Sequence, residues 1–242
     1  MPFNLMYHDV FIQSPDESGL SSDLYKIHLD EFEKQVTRIK DIESVNPGTF
    51  TLTFDDGGSS FYTPIADVLE RYSLKGYFFI ASKYIGTQGF ITKEQIKELD
   101  KRGHIIGSHS HSHPDNMTSL SKDEIEKEWS LSISILESIV GHKINVASIP
   151  NGYQTKTVIE AASKNGVQVL YTSKPSCKDW KCRDVTLKGR YVILRGMKSA
   201  DIDGIIKHNI TRQKLLIKWS LLNVVKSLLG NKYETIKQKI MG

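Results

Sequence analysis

The feature that most constrains this chain is a regular alternation of strand-like and helix-like segments through most of its 242 residues. Short apolar or β-branched runs mark the strands, and apolar residues at helical spacing mark the helices between them. Because the strands are apolar along both faces, they predict a parallel sheet covered by helices. The predicted strands lie at residues 4–7, 49–54, 76–81, 104–106, 145–149, 167–172 and 191–194. The predicted helices lie at residues 29–40, 62–72, 92–102, 121–140 and 155–165.

The number of repeated units limits the architecture to two kinds of α/β fold. About seven strand–helix units can close into a barrel or stay open as a doubly wound sheet, and periodicity does not distinguish the two. In both folds, ligands bind at the carboxyl ends of the parallel strands. Polar residues that directly follow a predicted strand are therefore the first candidates for a functional site.

Composition is that of a soluble globular protein. Hydrophobic residues make up 39% and charged residues 25% of the chain, which suits one domain with a full core. The sequence contains no apolar run of about 18 residues, so we expect no membrane-spanning helix. The first residues lack the basic start, apolar stretch and cleavage site of a secretory signal, so we expect a cytoplasmic location. Cys177 and Cys182 are then expected to be free thiols.

Two polar clusters directly follow predicted strands. Asp55 and Asp56 lie between the strand 49–54 and a glycine pair, and three alternating histidines follow the strand 104–106. His109 and His113 are four residues apart, a spacing that lets two imidazoles reach one metal ion, whereas His111 is expected to be a bystander. The other interpretations are a solvated turn at the aspartates and a surface loop rich in histidine.

Together the two clusters indicate a metal site with two histidines, one carboxylate and open coordination positions. Such a ligand set suits zinc-type hydrolysis, and it also suits non-haem iron. The second aspartate is then left beside the metal, where it could take a proton from a water molecule. This division of labour explains why two aspartates would be needed.

These motifs resemble those of the polysaccharide deacetylases, the NodB-like enzymes of carbohydrate esterase family 4. The resemblance covers roughly residues 3–195 and rests on Thr-Phe-Asp-Asp-Gly at 53–57, Ser-His-Ser-His-Ser-His-Pro at 108–114 and Met-Tyr-His-Asp-Val at 6–10. It implies a distorted (β/α)7 barrel. It also implies that Asp55 is the catalytic base. The metal, most simply Zn²⁺ but also Co²⁺, Ni²⁺ or Mn²⁺, would be held by Asp56, His109 and His113.

The third motif of this family departs from its usual Arg-x-Pro-x-Gly pattern. The arginine that orients the base is replaced by Ser148, whereas the proline and glycine are present. The resemblance implies that the backbone N–H of Asn151 helps to hold the oxyanion, and a backbone donor survives a change of side chain. Pro150 and Tyr153 are expected to contact the substrate. Trp180 resembles the pocket-lining tryptophan of the fourth motif.

The fifth motif lacks the histidine that serves as general acid in this family. Arg195 stands in its place, and an arginine stays protonated, which makes it a poor proton donor. Arg195 is instead expected to bind a phosphate or carboxylate of the substrate. The missing acid has three explanations: His8 at the end of the first strand supplies the proton, a water supplies it, or the protein has kept binding and lost catalysis.

The function expected from these residues is hydrolysis of the N-acetyl group of an N-acetylated sugar. The sugar would be linked to a nucleotide or a lipid during surface-glycan assembly. The alternatives are a hydrolase of the same fold that cuts a formamide or another non-peptide C–N bond, and an inactive glycan-binding protein that keeps the metal. An iron oxygenase is disfavoured by the strand–helix alternation. No motif for nucleic-acid binding is present, so no such partner is expected.

The C-terminal part differs in charge from the rest of the chain. We divide the chain into a barrel domain at residues 1–198 and a basic amphipathic helical extension at 199–242. Residues 204–233 carry six lysines or arginines and no acid, and Gly230 is expected to end a helix that starts near 210, with another turn or two at 233–240. Its apolar face packs on the barrel, or residues 205–229 lie on an anionic membrane at its inner face. The apolar residues at helical spacing are Leu215, Leu216, Trp219, Leu221, Leu222, Val225, Leu228 and Leu229.

Overall fold

The computed structural model describes residues 2–15, 18–20 and 23–229. The strands are β1 (Phe3–Tyr7), β2 (Val10–Phe11), β3 (Ile27–His28), β4 (Phe50–Phe54), β5 (Gly76–Ile80), β6 (Ile105–Ser108), β7 (Val146–Ser148), β8 (Val169–Tyr171), β9 (Trp180–Cys182), β10 (Val185–Lys188) and β11 (Tyr191–Val192). The helices are α1 (Leu29–Val45), α2 (Asp67–Arg71), α3 (Lys93–Lys101), α4 (Lys122–Val140), α5 (Lys156–Lys164), α6 (Ser199–Lys207) and α7 (Asn209–Leu229).

The main sheet has nine strands in the order β11-β1-β4-β5-β6-β7-β8-β10-β9. Neighbouring strands are parallel except for β9, which runs antiparallel to β10 at one edge. The sheet curves strongly. Its curvature is seen in the contact between Phe79 on β5 and Tyr171 on β8, whose ring centroids are 5.2 Å apart although two strands lie between them. The parallel α/β architecture expected from the sequence is therefore confirmed, and the curvature brings the strand ends around one site.

The two faces of the sheet differ in polarity. Alternate residues of β1 and β4, such as Leu5, Leu52 and Phe54, are buried in the apolar core, which also contains Phe32 and Val36 of α1. The residues between them point to the concave side, where Thr53 donates a hydrogen bond to the carbonyl of Leu5 (2.9 Å). The core therefore lies between the sheet and the helices, and the concave side is free to hold polar groups.

Two of the predicted helices begin with a capping box. Thr92 caps α3 with Gln95 as its partner, and Ser121 caps α4 with Glu124 as its partner, each with both reciprocal hydrogen bonds. The predicted helix at 62–72 is wrong in its first half. The chain is broken at Thr63, whose φ of −144° and ψ of 125° are extended, because the following Pro64 disfavours the helical conformation there. The α-helix α2 begins at Asp67.

The C-terminal segment forms two helices. The helix predicted from residue 210 is present as α7, and α6 precedes it and is joined to α1 by a bidentate ion pair between Arg38 and Asp203. None of the helices in the described ranges is long and apolar enough to cross a membrane. The predicted helix end at Gly230 and the turn at 233–240 lie outside the described residues.

Candidate metal centre and active site

The carboxyl ends of five strands converge on one cluster of polar side chains. His8 follows β1, Asp55 and Asp56 follow β4, and His109 follows β6. Asp56 has a φ of 88°, and this turn at the strand end lets neighbouring aspartates serve one cavity instead of pointing in opposite directions. Ser148 at the end of β7 and Arg190, just after β10, complete the cluster, as the contacts below show.

Asp56, His109 and His113 form the part of the cluster that could hold a metal ion. One carboxylate oxygen of Asp56 lies 3.4 Å from Nε2 of His109 and 3.4 Å from Nε2 of His113. All three ligand atoms lie within 4.8 Å of one another. Two ligands held at about 2.1 Å from a tetrahedral zinc ion stand about 3.4 Å apart, so this donor set fits such an ion. The structure thus brings together the three ligands predicted from the sequence.

The imidazole of His109 is oriented by the strand next to it. Its Nδ1 lies 3.0 Å from the carbonyl oxygen of Ser148, to which an Nδ1–H donates. That hydrogen bond orients the ring so that Nε2 faces Asp56, the arrangement expected of a histidine that ligates a metal through Nε2.

The turn that carries the histidines is held by a carboxylate that sequence analysis did not single out. Glu128 on α4 accepts hydrogen bonds from the backbone N–H of His111 (2.9 Å) and of Ser112 (2.8 Å), and from the Ser112 hydroxyl (2.7 Å). The turn needs such support because Ser110 and His113 have positive φ, 64° and 53°. No pattern in the sequence links Glu128 to His111 and Ser112, which lie seventeen and sixteen residues upstream, so only the folded chain reveals the contact.

His111 takes no part in the metal cluster. Its Nδ1 lies 2.9 Å from the hydroxyl of Ser82, and its carbonyl accepts a hydrogen bond from the N–H of Lys83. These contacts tie the turn to the segment after β5. The middle histidine therefore has a structural role, as expected from its alternation with the other two.

The carboxylate of Asp55 is held by Arg190, a residue outside the predicted site. Arg190 binds both carboxylate oxygens of Asp55, at 2.6 and 2.7 Å, and also reaches the hydroxyl of Ser148 at 2.7 Å. Both partners of this pair are buried, and the Nε of Arg190 donates to the carbonyl of Thr172 (3.1 Å). The arginine missing at Ser148 is thus replaced in space by Arg190, which the sequence analysis did not identify as functional. A charged residue at the start of an apolar strand was the available signal.

Charges around the two aspartates keep both of them ionised. Burial alone raises the pKa of Asp55, but the charges of Arg190 and His109 outweigh burial and hold the pKa below its usual value. Burial likewise raises the pKa of Asp56, and hydrogen bonds from His109 and His113 lower it well below the usual value. An ionised carboxylate that is not a ligand therefore stands beside the metal cluster, with its Oδ2 3.8 Å from Nε2 of His109.

His8 follows β1, the strand next to β4, and the two aspartates follow β4. Its ring packs against Tyr25 with centroids 4.8 Å apart, and its buried Nδ1 has no hydrogen-bond partner within the described part of the chain. Burial lowers the pKa of His8, while the charges of Asp56 and Asp55 act in the opposite direction. His8 is therefore close enough to both carboxylates for their charges to act on its pKa.

The turn that carries Asn151 is fixed from two sides. Asn151 has a φ of 53°, and its side-chain amide donates to the carbonyl of Asp115 (3.3 Å), just after the histidine turn. From the other side, Lys226 on α7 donates to the carbonyl of Asn151 (2.9 Å) and lies over the ring of Tyr153, 4.7 Å from its centroid. The predicted residues of the third motif therefore lie between the metal turn and the C-terminal helix, and Pro150 begins the same turn.

Two predicted substrate contacts lie in other surroundings. Arg195 donates to the carbonyl of Lys26 (3.2 Å), lies over the ring of Phe11 and is 3.7 Å from Asp23. These contacts do not involve the candidate metal cluster, and Nη2 of Arg195 is buried without a hydrogen-bond partner in the described part of the chain. Trp180 belongs to the edge strand β9, with the Nζ of Lys174 5.0 Å from its ring centroid. Their roles toward a substrate stay predictions.

Removing one imidazole of the metal pair is expected to remove the metal. His113→Ala and His109→Ala should each lack stoichiometric metal in protein purified with zinc, because each variant keeps only two of the three proposed ligands. His111→Ala is the matched control and should keep its metal, since its ring faces Ser82. Metal analysis of the three purified variants decides, and full metal in both His109→Ala and His113→Ala would contradict the assignment.

Comparison with known proteins identifies the family. The sequence model of the polysaccharide deacetylase family matches residues 43–170, just over half of the chain. Peptidoglycan-N-acetylmuramic acid deacetylase PdaA of Bacillus subtilis is 33% identical over 135 residues, 55% of this chain and 49% of that protein. A peptidoglycan-N-acetylglucosamine deacetylase of Bacillus cereus is 28% identical over 137 residues, 56% of this chain and 48% of that protein. The chain thus matches about half the length of these relatives.

The fold is also found in solved structures. The deacetylase PplD of Streptococcus pyogenes, solved in complex with acetate, superimposes with a TM-score of 0.70 at 21% sequence identity. The match covers 85% of this chain and 98% of that one, and it confirms the expected fold class, a distorted (β/α)7 barrel of the deacetylase type. The family model, the relatives and the shared fold agree with the resemblance read from the motifs. The chain therefore belongs to the polysaccharide deacetylase family.

Proposed function

We propose that this protein is a metal-dependent deacetylase that hydrolyses the N-acetyl group of an N-acetylated sugar. The observation that carries the proposal is the Asp56–His109–His113 cluster with a second ionised carboxylate, Asp55, held beside it by Arg190. A ligand set with one carboxylate to spare suits hydrolysis, because one acid binds the metal and the other can move a proton. The relatives named as deacetylases of N-acetylated glycans support the same reaction.

The cofactor in this proposal is a divalent metal, with Zn²⁺ as the first choice and Co²⁺, Ni²⁺ or Mn²⁺ as alternatives for the same ligands. The residues that would hold it are Asp56, His109 and His113, whose spacing fits zinc. When bound, the metal would supply a Lewis acid that polarises the amide carbonyl and lowers the pKa of water.

The chain's own groups then divide the remaining work. Asp55 takes the proton from the attacking water, and the two hydrogen bonds from Arg190 hold its carboxylate in one orientation. The backbone N–H of Asn151 is the proposed donor to the oxyanion, because its turn is fixed beside the histidine turn. Pro150 and Tyr153, which share this turn, are the proposed contacts to the sugar.

His8 is the proposed general acid, since it lies beside the aspartates and keeps one ring nitrogen without a partner in the described chain. His8→Gln is expected to lower kcat/KM by about 10²-fold and to flatten the alkaline limb of the pH–rate profile. That limb would report loss of the imidazole proton as the pH rises. His142→Gln, a change at an exposed histidine paired with Asp100, should leave the profile unchanged. An unaltered profile in His8→Gln would remove His8 from the mechanism.

The substrate class is tested by product analysis on a panel of sugars. Purified metal-loaded protein should release acetate from N-acetylated sugars, free, nucleotide-linked or lipid-linked, and chelation should stop the release. Formate release from an N-formylated sugar in place of acetate would assign the chemistry to another C–N bond. Glycan binding without either product would make the protein a binding module. The nucleotide or lipid carrier, the role in surface-glycan assembly and the cytoplasmic location stay predictions.

A further inference from the structure

Helix α7 carries an unusual concentration of exposed apolar side chains. Seven of the twelve large hydrophobic side chains that are exposed in the described chain belong to this one helix. They are Ile210, Leu216, Ile217, Leu221, Leu222, Val224 and Val225. Scattered exposed apolar residues are normal, whereas a contiguous set marks an interaction surface.

The helix is packed on only one side. Leu215 contacts the hydrophobic core, and Trp219 donates a hydrogen bond to the hydroxyl of Ser173 (3.2 Å). Lys226 continues this inner face at the Asn151 turn. At 3.6 residues per turn, Ile217 and Leu221 lie on the opposite side, and they are 60% and 63% exposed. We call this side, with Ile210 and Val224, the outer face of α7.

Charge on α7 is sorted between the two faces. Arg212 turns inward and donates to the carbonyls of Ile205 (2.7 Å) and Ile206 (2.8 Å) at the end of α6, and Lys226 also turns inward. Lys214 and Lys218 are exposed beside the outer face. Residues 204–229 contain no acid, so nothing on this helix neutralises the two lysines. The outer face is therefore an aliphatic stripe with positive charge along one flank.

We propose that the outer face of α7 binds the surface of an anionic lipid bilayer. A helix with an apolar face and flanking lysines lies in the interface, with its apolar side chains among the acyl chains and its lysines at anionic headgroups. A second copy of this chain fits the surface less well, because pairing two outer faces would bring lysines together without an acid. The helix lies on the bilayer and does not cross it, in keeping with its length and hydropathy.

This orientation would also place the candidate site near the headgroups. The inner face of α7 contacts the turn of Asn151 and Tyr153, and a helix with its side chains is about 10–12 Å across. The turn therefore lies about one helix diameter from the lipid. If the proposed function holds, a sugar carried on a lipid is the substrate that such an orientation presents, and this last step alone rests on that function.

Binding is tested with the full chain and vesicles of phosphatidylcholine with or without phosphatidylglycerol. Co-sedimentation is expected with the anionic vesicles at low salt and should weaken as salt rises. Ile217→Glu with Leu221→Glu should reduce binding at least tenfold, because the apolar insertion is lost. Lys214→Gln with Lys218→Gln should reduce it by about fivefold for each lysine and remove the preference for anionic lipid. Val45→Glu with Leu131→Glu, two exposed apolar residues elsewhere, is the matched control and should bind like the parent.

Several outcomes would overturn the proposal. They are absence of binding to anionic vesicles by the folded parent protein, and equal binding by the outer-face variant. Lipid-independent dimers that the outer-face variant abolishes would assign the face to a second copy. Strong binding that appears only after removal of residues 230–242 would show that these residues, and not a bilayer, occupy the outer face in the full chain. Deacetylation of a soluble sugar should be unchanged in the outer-face variant, so failure of membrane binding and failure of the proposed activity are separate results.

Discussion

Asp55→Asn is expected to lower the rate of acetate release by about 10²–10⁴-fold while the protein keeps its metal. Asparagine has nearly the same shape as aspartate but cannot accept the proton of the attacking water. The metal is expected to stay because its proposed ligands are Asp56, His109 and His113, which the substitution leaves in place. The measurement is the initial rate per metal-loaded chain, together with metal content.

The control for this substitution must separate lost chemistry from lost folding. Asp55→Asn also removes the charge partner of the buried Arg190, so its free energy of unfolding has to be measured beside the rate. Asp115→Asn makes the same chemical change at an exposed carboxylate near the histidine turn and should keep full activity. Near parental turnover in folded Asp55→Asn would show that another group is the base.

Arg190→Met is expected to destabilise the metal-free protein by about 3–5 kcal/mol and to abolish most activity. The substitution leaves the buried Asp55 carboxylate without its bidentate partner, and Ser148 alone cannot replace it. Chemical denaturation gives the free energy of unfolding. Arg195→Met is the matched control, because Arg195 is 39% exposed and 3.7 Å from an exposed Asp23, and it should cost no more than about 1 kcal/mol.

The difference in free energy of unfolding between the parent protein and Arg190→Met should decrease as the pH falls. In the parent, the pKa of Asp55 is lowered below 3.8, so its ion pair stabilises the fold above that pH and is lost as the pH falls through the lowered pKa. In Arg190→Met, burial without the guanidinium raises the pKa of Asp55, so the variant regains stability as acid protonates the carboxyl. The gap between the two proteins should therefore narrow from neutral pH toward pH 3.8. A gap independent of pH would show that Arg190 acts by packing alone.

A second variant tests whether the guanidinium or its position matters. Arg190→Ser combined with Ser148→Arg moves the arginine to the place where the family motif has it. Ser148 already contacts both Asp55 (3.1 Å) and Arg190 (2.7 Å), so a guanidinium from residue 148 can reach the same carboxylate. The double variant should be more stable and more active than Arg190→Ser alone. An equal loss of stability and activity in both variants would mean that the guanidinium must come from position 190 to position Asp55.

Local signals in the sequence were enough to predict most of the secondary structure and the residues of the candidate metal cluster. The capping boxes at Thr92 and Ser121 were readable because each involves residues three apart. The spacing of His109 and His113 was readable for the same reason. The break at Thr63 before Pro64 is also local, but the predicted helix at 62–72 missed it. Interactions between residues close along the chain leave a pattern that survives without knowledge of the fold.

The tertiary structure alone decided which distant groups complete the site. Arg190 meets Asp55 across 135 positions, and Glu128 holds a turn on another element, because the curved sheet brings the strand ends together. The same holds for α7 (Asn209–Leu229), because its sequence shows a basic and apolar character but not which side of the helix is covered. Arg212 and Lys226 face the protein while Ile217 and Leu221 face outward, since packing selects one side of a helix that has apolar residues on more than one face. A contact of this kind depends on three-dimensional distance, which the order of residues does not encode locally.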